Sequence, residues 1–451
     1  MPKFKTVYYS FVIPLICAAL VFAGCAAYSP AAEAAPAAAG TETAVSVMPP
    51  AAKTASSEPP LFENAAPVSM AQTGEETLSL LFAGDVMAHN KQLRCHKFGT
   101  VYDFTGDYKY ISGIVSQADV SVVNLETVLS GKKPYSGLPP FNAPDSLADA
   151  LKSAGFNVIG TANNHIRDMG NAAMMRTSEL LRGKGLTVIG PRGGLNETKY
   201  ALIEKNGIKV GLVNFTVSIN RGIPASAEDY VNCLRRGSSF SKGLEILGSE
   251  IRTLKDEGAE FIAVYVHWGS EFHKENSTEK RLAQSIADLG ADLIVGSHPH
   301  CLQGVAEYKS AATGKNVLVY YSLGNLVSNQ GYNYGAGKGT CETGALALIR
   351  LKRNGDGAVA IESAGYLATY VHKPKIEVRY ADGGKTRIVN TQAYYIVPAA
   401  DAAQNPSAYE GVRGVLLKRI QQGVKNAKEI IGASGEALVD FDFMEYVSFP
   451  W

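Results

Sequence analysis

From residue 78 onward the chain alternates short apolar runs with stretches of helical spacing. The runs at residues 78–83, 120–123, 157–160, 209–214, 261–266, 293–295 and 317–321 have the length and content of buried strands. Between them, apolar residues recur every three or four positions over 146–154, 174–183, 243–256 and 279–289, which predicts helices. Near-continuous apolar strands separated by helices imply an α/β sheet covered on both faces. Two later strands, 345–351 and 358–369, read as antiparallel, and 409–431 reads as an amphipathic helix. Residues 26–74 are different. They are rich in Ala, Pro, Ser and Thr with almost no periodic apolar pattern, as expected of a flexible tether.

The N-terminus reads as a targeting segment. Lys3 and Lys5 precede an almost wholly apolar stretch, residues 11–23, too short for a comfortable membrane span. Ala23-Gly24-Cys25 resembles a lipobox, with Phe22 in place of the usual aliphatic residue, so Cys25 is the expected lipid attachment point. The other reading is an uncleaved N-terminal anchor. Both put the rest of the chain outside the cytoplasm, held at the cell membrane, and the first makes it a lipoprotein. The expected organisation is a signal segment at 1–25, a tether at 26–75, one domain at 76–395 and a C-terminal helical extension at 396–451 that packs on it. With 451 residues, 46% of them hydrophobic, the chain can bury a large core. Its formal charge of +1 gives no reason to expect nucleic acid as a partner. Outside the signal segment the cysteines are Cys95, Cys233, Cys301 and Cys341. In an exported protein they can form disulfides, in any of three pairings, or remain four separate thiols.

Most of the apolar runs end in residues able to bind metal. Ligands collect at the carboxyl ends of strands in open α/β sheets, so such residues converge if the strands do. His298-Pro299-His300 follows a strand and Gly296, with Pro299 restricting the turn between two imidazoles. His267 follows six apolar residues and adds a third imidazole, although a lone histidine there can also be a core residue. Asp85 and Glu126 supply carboxylates and Asn164 an amide oxygen. His165 is either a further ligand or a general acid beside the metal. Arg167 is a candidate contact for an anion, or an ordinary surface arginine. Residues 335–340 look like a phosphate loop, but Tyr332 and Gly339 break that pattern, and a flexible loop beside the site is the expectation.

These motifs together resemble the CapA/PgsA family of capsule-synthesis proteins. The resemblance rests on Gly84-Asp85-Val86-Met87, Asn124-Leu125-Glu126, Ala162-Asn163-Asn164-His165 with Asp168 and Gly170, His267-Trp268-Gly269, His298-Pro299-His300 and Ser322-Leu323-Gly324-Asn325. That family in turn resembles the calcineurin-like metallophosphoesterases. The resemblance implies an α/β fold, a two-sheet sandwich flanked by helices in four layers. It implies metal-ligand positions for Asp85, Asn164, His267, His298 and His300, with Glu126 where the phosphoesterases have a bridging aspartate. His165 falls at the catalytic histidine position, with Asp168 its partner. His89, Asn124, Asn163, Arg167, Trp268 and Asn325 are expected to support the site or touch substrate. Two positions depart from the phosphoesterase pattern: Met87 stands where a histidine is expected, and Ile166 where an acid follows the Asn-His pair.

Two functions are compatible with this sequence. One is hydrolysis of an envelope phosphoester or anionic polymer by one or two divalent ions, with Mn, Fe or Zn suited to the donor set. The other, implied by the link of CapA/PgsA proteins to poly-γ-glutamate, is a non-catalytic partner of a membrane-bound synthase that binds or exports the polymer.

Overall fold

The computed structural model describes residues 76–235, 239–335 and 337–431. The expected signal segment, the tether to residue 75, Cys25 and residues 432–451 lie outside the described residues.

Two sheets stack face to face. The first runs, edge to edge, Tyr395–Pro398, Val359–His372, Thr343–Arg353, Thr77–Val86, Val120–Leu125, Val158–Gly160 and Thr187–Ile189, with Asn325–Val327 alongside Thr77–Val86. From Thr77–Val86 to Thr187–Ile189 its strands are parallel, and the rest of the path is antiparallel. The second sheet runs Val305–Lys309, Asn316–Tyr320, Leu293–Ser297, Phe261–His267, Ile208–Thr216 and Tyr200–Lys205, four parallel strands between antiparallel edges. The central strands are buried on both faces, which is why they read as continuous apolar runs rather than alternating ones.

Three apolar layers follow. Leu80, Phe82 and Val122 of the first sheet meet Val210, Ala263 and Leu293 of the second in the layer between the sheets. Leu147 and Leu151 of helix Ser146–Ser153 and Leu181 of helix Asn171–Gly183 cover the outer face of the first sheet. Leu247, Ile251 and Leu254 of helix Ser241–Asp256 and Leu282 and Ile286 of helix Ser277–Asp288 cover the second. Their three- and four-residue spacing is the helical period seen in the sequence. The architecture is therefore the four-layer α/β sandwich that the resemblance implied, each sheet covered by helices on one face and by its partner sheet on the other.

The C-terminal segment begins inside the strand Tyr395–Pro398 and continues into helices Ala399–Gln404 and Gly414–Ile430. Ile420 packs there with Tyr370, Tyr395, Val397 and Ala402. Cys95, Cys233, Cys301 and Cys341 form no disulfide with one another, and burial pushes Cys301 up to about 12 and Cys341 to about 11.

Candidate metal centre

Strand register sets out the first half of the site. Asp85 lies level with Asn124 on one neighbouring strand and with Asn325 on the other. The strand ends can come this close because Gly84 has no side chain: a Cβ there would stand 1.9 Å from the carbonyl oxygen of Gly324. The second sheet supplies the other half. His267 is level with Thr216 and Ser297, and His298 and His300 follow directly. Gly296 is again a close approach, its Cβ position 1.9 Å from the carbonyl oxygen of Tyr321.

His298 and His300 have φ of +100° and +56°, in the left-handed region that non-glycine residues rarely adopt. Such conformations cost about 1–3 kcal/mol each and persist only where surrounding contacts hold them. Asp85 is one such contact. Its Oδ2 accepts the backbone N–H of His298 at 3.2 Å and lies 3.0 Å from Nδ1 of His300, and its Oδ1 accepts from Asn124 at 2.7 Å.

The candidate ligands converge. Nε2 of His267 is 3.0 Å from Nδ1 of His298, 3.0 Å from Oδ1 of Asn164 and 3.6 Å from Oε1 of Glu126. Glu126 Oε1 is also 3.6 Å from Nε2 of His300. Glu126 is fully buried, and this oxygen has no hydrogen-bond partner. When His267 gives its Nδ1–H to Ser297 Oγ, 3.0 Å away, its Nε2 lone pair joins those of Asn164, His298 and Glu126 around one small volume. Electron pairs facing one another with no proton between them fit a cation. Two overlapping sets emerge, Glu126 with His267 and His298, and Asp85 with Glu126 and His300, sharing Glu126 as a bridge would.

Electrostatics point the same way. Burial, then the nearby Asp85 and Glu271 carboxylates, hold Glu126 well above the usual carboxylate range. Burial and the neighbouring imidazoles push His267 well down, and burial with His300 takes His298 to about 3. These imidazoles are neutral, the form that ligates metal, and a cation relieves the cost of ionising Glu126.

The supporting residues hold the site at one remove. Asn163 donates to Asn124 at 3.1 Å and to the Leu125 carbonyl at 2.8 Å. Asn325 donates to the carbonyls of His300 and Cys341 and to Gln330. His89 stacks edge-on to Phe141 at 5.3 Å and is lowered to about 4, chiefly by burial. His165 is buried. Its Nδ1 is 2.8 Å from Oδ2 of Asp168, which also accepts the Phe141 N–H. That leaves Nε2 of His165 as its working atom. Trp268 is buried in the core, with its indole N–H on the Tyr321 carbonyl, so it packs beside the site. The Arg167 guanidinium goes to Asn171 and to the carbonyls of Arg221 and Gly222, where it braces a loop. Residues 337–340 are tied down by Asn426, which donates to the Lys338 carbonyl at 3.0 Å.

Sequence reasoning passed over two residues here. Ser297 was legible only through strand register. Glu271, an exposed residue four places after His267, brings a carboxylate within 4.8 Å of ring nitrogens of His298 and His300. Its position in the loop after a ligand-bearing strand was the available signal.

Fold and cluster together define an α/β sandwich with a histidine–carboxylate centre able to hold metal. The chain belongs to the family described as bacterial capsule synthesis protein PGA_cap, whose sequence model matches residues 79–330 and so spans every candidate ligand. Among its relatives, the capsule biosynthesis protein CapA of Bacillus anthracis is 30% identical over 292 residues, 62% of this chain and 65% of that one. The chain thus spans just under two thirds of that relative. The PGA biosynthesis protein CapA of Bacillus subtilis (strain 168) is 26% identical over 289 residues, 63% of this chain and 70% of that one. The solved structure of the NAD nucleotidase NadN from Haemophilus influenzae aligns over 82% of this chain and 65% of its own at 15% identity and a TM-score of 0.40, a likeness too slight to bear on the chemistry.

Proposed function

We propose that this protein is an envelope-anchored member of a capsule or poly-γ-glutamate pathway, whose centre holds one or two divalent ions and hydrolyses a phosphoester or an anionic polymer. The carrying observation is the bare, buried Oε1 of Glu126, equidistant from two imidazoles of the second sheet. Asp85, Glu126, Asn164, His267, His298 and His300 would hold the ions, and the donor set suits Mn, Fe or Zn. A bound dication supplies Lewis acidity and lowers the pKa of water toward neutrality. The rest is done by this chain's side chains. His165, fixed by Asp168, gives a proton at Nε2 to the leaving group or steadies its charge. Asn124 and Asn163 fix the carboxylates, and the buried setting keeps bulk water from the ligands.

The lipid on Cys25 would place this activity outside the cytoplasm at the membrane, near a poly-γ-glutamate synthase complex. One observation favours a second reading, a metal-dependent binder or export partner that hydrolyses nothing. Met87, buried and two residues after Asp85, stands where the phosphoesterases have an imidazole.

The deciding experiment loads purified protein with Mn²⁺ and offers generic phosphoesters and poly-γ-glutamate. Turnover that disappears in His298→Ala supports hydrolysis. Metal-dependent polymer binding without turnover supports the second reading, and the absence of metal binding rejects both.

A further inference from the structure

Building on the metal-centre reading, we infer that Glu271 is an outer ligand of the ion held by the His298–His300 pair, and that it is the ligand an incoming substrate anion displaces. The inner set at His300 has only Asp85 and Glu126 beside it, because Met87 supplies no imidazole. Glu271 forms a third set, with His298 and His300.

Its loop is not a free surface loop. Before Glu271, the backbone N–H of Trp268 donates to the Ser297 carbonyl at 3.0 Å. After it, the N–H of Phe272 donates to the Pro299 carbonyl at 2.8 Å, and Gln303 donates to the His273 carbonyl at 3.0 Å. The loop is thus tied on both sides of Glu271 to the segment carrying the histidines. Phe272 holds a φ of +65° while its ring packs 6.0 Å from His300 and 5.5 Å from Tyr334. A strained residue held beside a ligand is what positions a neighbouring side chain rather than leaving it loose.

Exposure separates the roles. Asp85, Glu126 and His300 are at most 1% exposed, whereas Glu271 is open to solvent. A phosphate or carboxylate oxygen arriving from solvent matches the Glu271 carboxylate in charge and hardness, and meets it first. Exchange of one oxygen anion for the other needs no change at the buried ligands. The substrate class is accordingly an anion that presents a terminal oxygen, and the loop sets how readily it enters.

The test is binding of Mn²⁺, and of inorganic phosphate to the Mn²⁺-loaded protein, by wild type, Glu271→Gln and Glu271→Asp, with unfolding midpoints as the folding control. Loss of Glu271 is expected to weaken Mn²⁺ binding about tenfold or more. Phosphate should bind Glu271→Gln several-fold more tightly than wild type, because no carboxylate remains to displace, and Glu271→Asp should fall between. Unchanged Mn²⁺ affinity in Glu271→Gln overturns ligation. Weakened Mn²⁺ with unchanged phosphate affinity overturns displacement. Failure of the wild type to bind Mn²⁺ is a separate result that removes the metal-centre reading itself.

Discussion

Nε2 of His267 and Nδ1 of His298 lie 3.0 Å apart, at the ends of adjacent parallel strands. Two neutral imidazoles at that distance share either one proton or one cation. If a cation, His298→Ala should lower Mn²⁺ affinity by about 10–100-fold and abolish turnover in parallel. Equilibrium dialysis on wild type and variant checks this, and equal affinities would leave the pair as a hydrogen bond.

His165 should behave differently. Its Nδ1 faces Asp168 and the ring abuts Phe141. His165→Ala should keep the metal and lose about 10²–10⁴ in turnover, the usual worth of a general acid. Asp168→Asn should keep the metal as well and lower kcat by a smaller factor. Metal content and kcat measured on the same samples separate these variants from His298→Ala.

How much of this was legible beforehand follows from which signals are local. The long parallel strands and four covering helices were readable because complete burial erases polar positions and a helix face repeats. The strands Tyr200–Lys205 and Val305–Lys309 were not, because at the sheet edges they are only partly buried and mix polar with apolar residues. The hairpin Lys375–Asp382 with Lys385–Gln392 was passed over although its first strand alternates polar and apolar residues, the period-two signal of a half-buried strand. Asp85, His267 and His298 were legible since each stands at the end of an apolar run. Reading them as the edge of one sheet missed that Asp85 and Glu126 belong to one sheet and the three imidazoles to the other. Ser297 and Glu271 depend on register and loop path, which no local pattern encodes.

His89 offers a pH test. Burial lowers it from its ordinary 6.5 to about 4, so in the folded protein it stays neutral where the unfolded chain is already protonated. The unfolded state then binds more protons between about pH 6.5 and 4, and stability falls as pH drops through that window. His89→Asn should remove on the order of 1–2 kcal/mol of the loss between pH 7.5 and 5 in metal-free protein. Urea unfolding of both proteins at the two pH values measures it, and parallel losses would show that His89 does not contribute.

The close approaches make a further prediction. Gly84→Ala and Gly296→Ala each force a methyl to within 1.9 Å of a carbonyl oxygen. Overpacking of this kind costs about 1–3 kcal/mol or more. Because Gly84 adjoins Asp85 and Gly296 lies two residues before His298, Mn²⁺ affinity should fall along with the unfolding midpoint. Thermal unfolding with and without Mn²⁺ would show the two losses together, whereas Gly183→Ala, in a helix and with nothing within 4 Å of the added carbon, should leave Mn²⁺ affinity unchanged and should not lower the midpoint.

Since each sheet carries part of the ligand set, the layer between the sheets acts as a gauge block for the centre. Its thickness near the site is fixed by Phe82 against Tyr265, whose hydroxyl donates to the Ala83 carbonyl at 2.6 Å, and by the Ala162 N–H on the side chain of Asn214 at 2.8 Å. Swapping a core side chain for a thinner one draws the two rims together, and a bulkier one spreads them. Neither change touches a ligand. A centre that holds metal would then have its choice among ions of different radius written partly into hydrophobic residues that never meet the ion, and relatives with identical ligands but a differently filled interior would be free to prefer different ones.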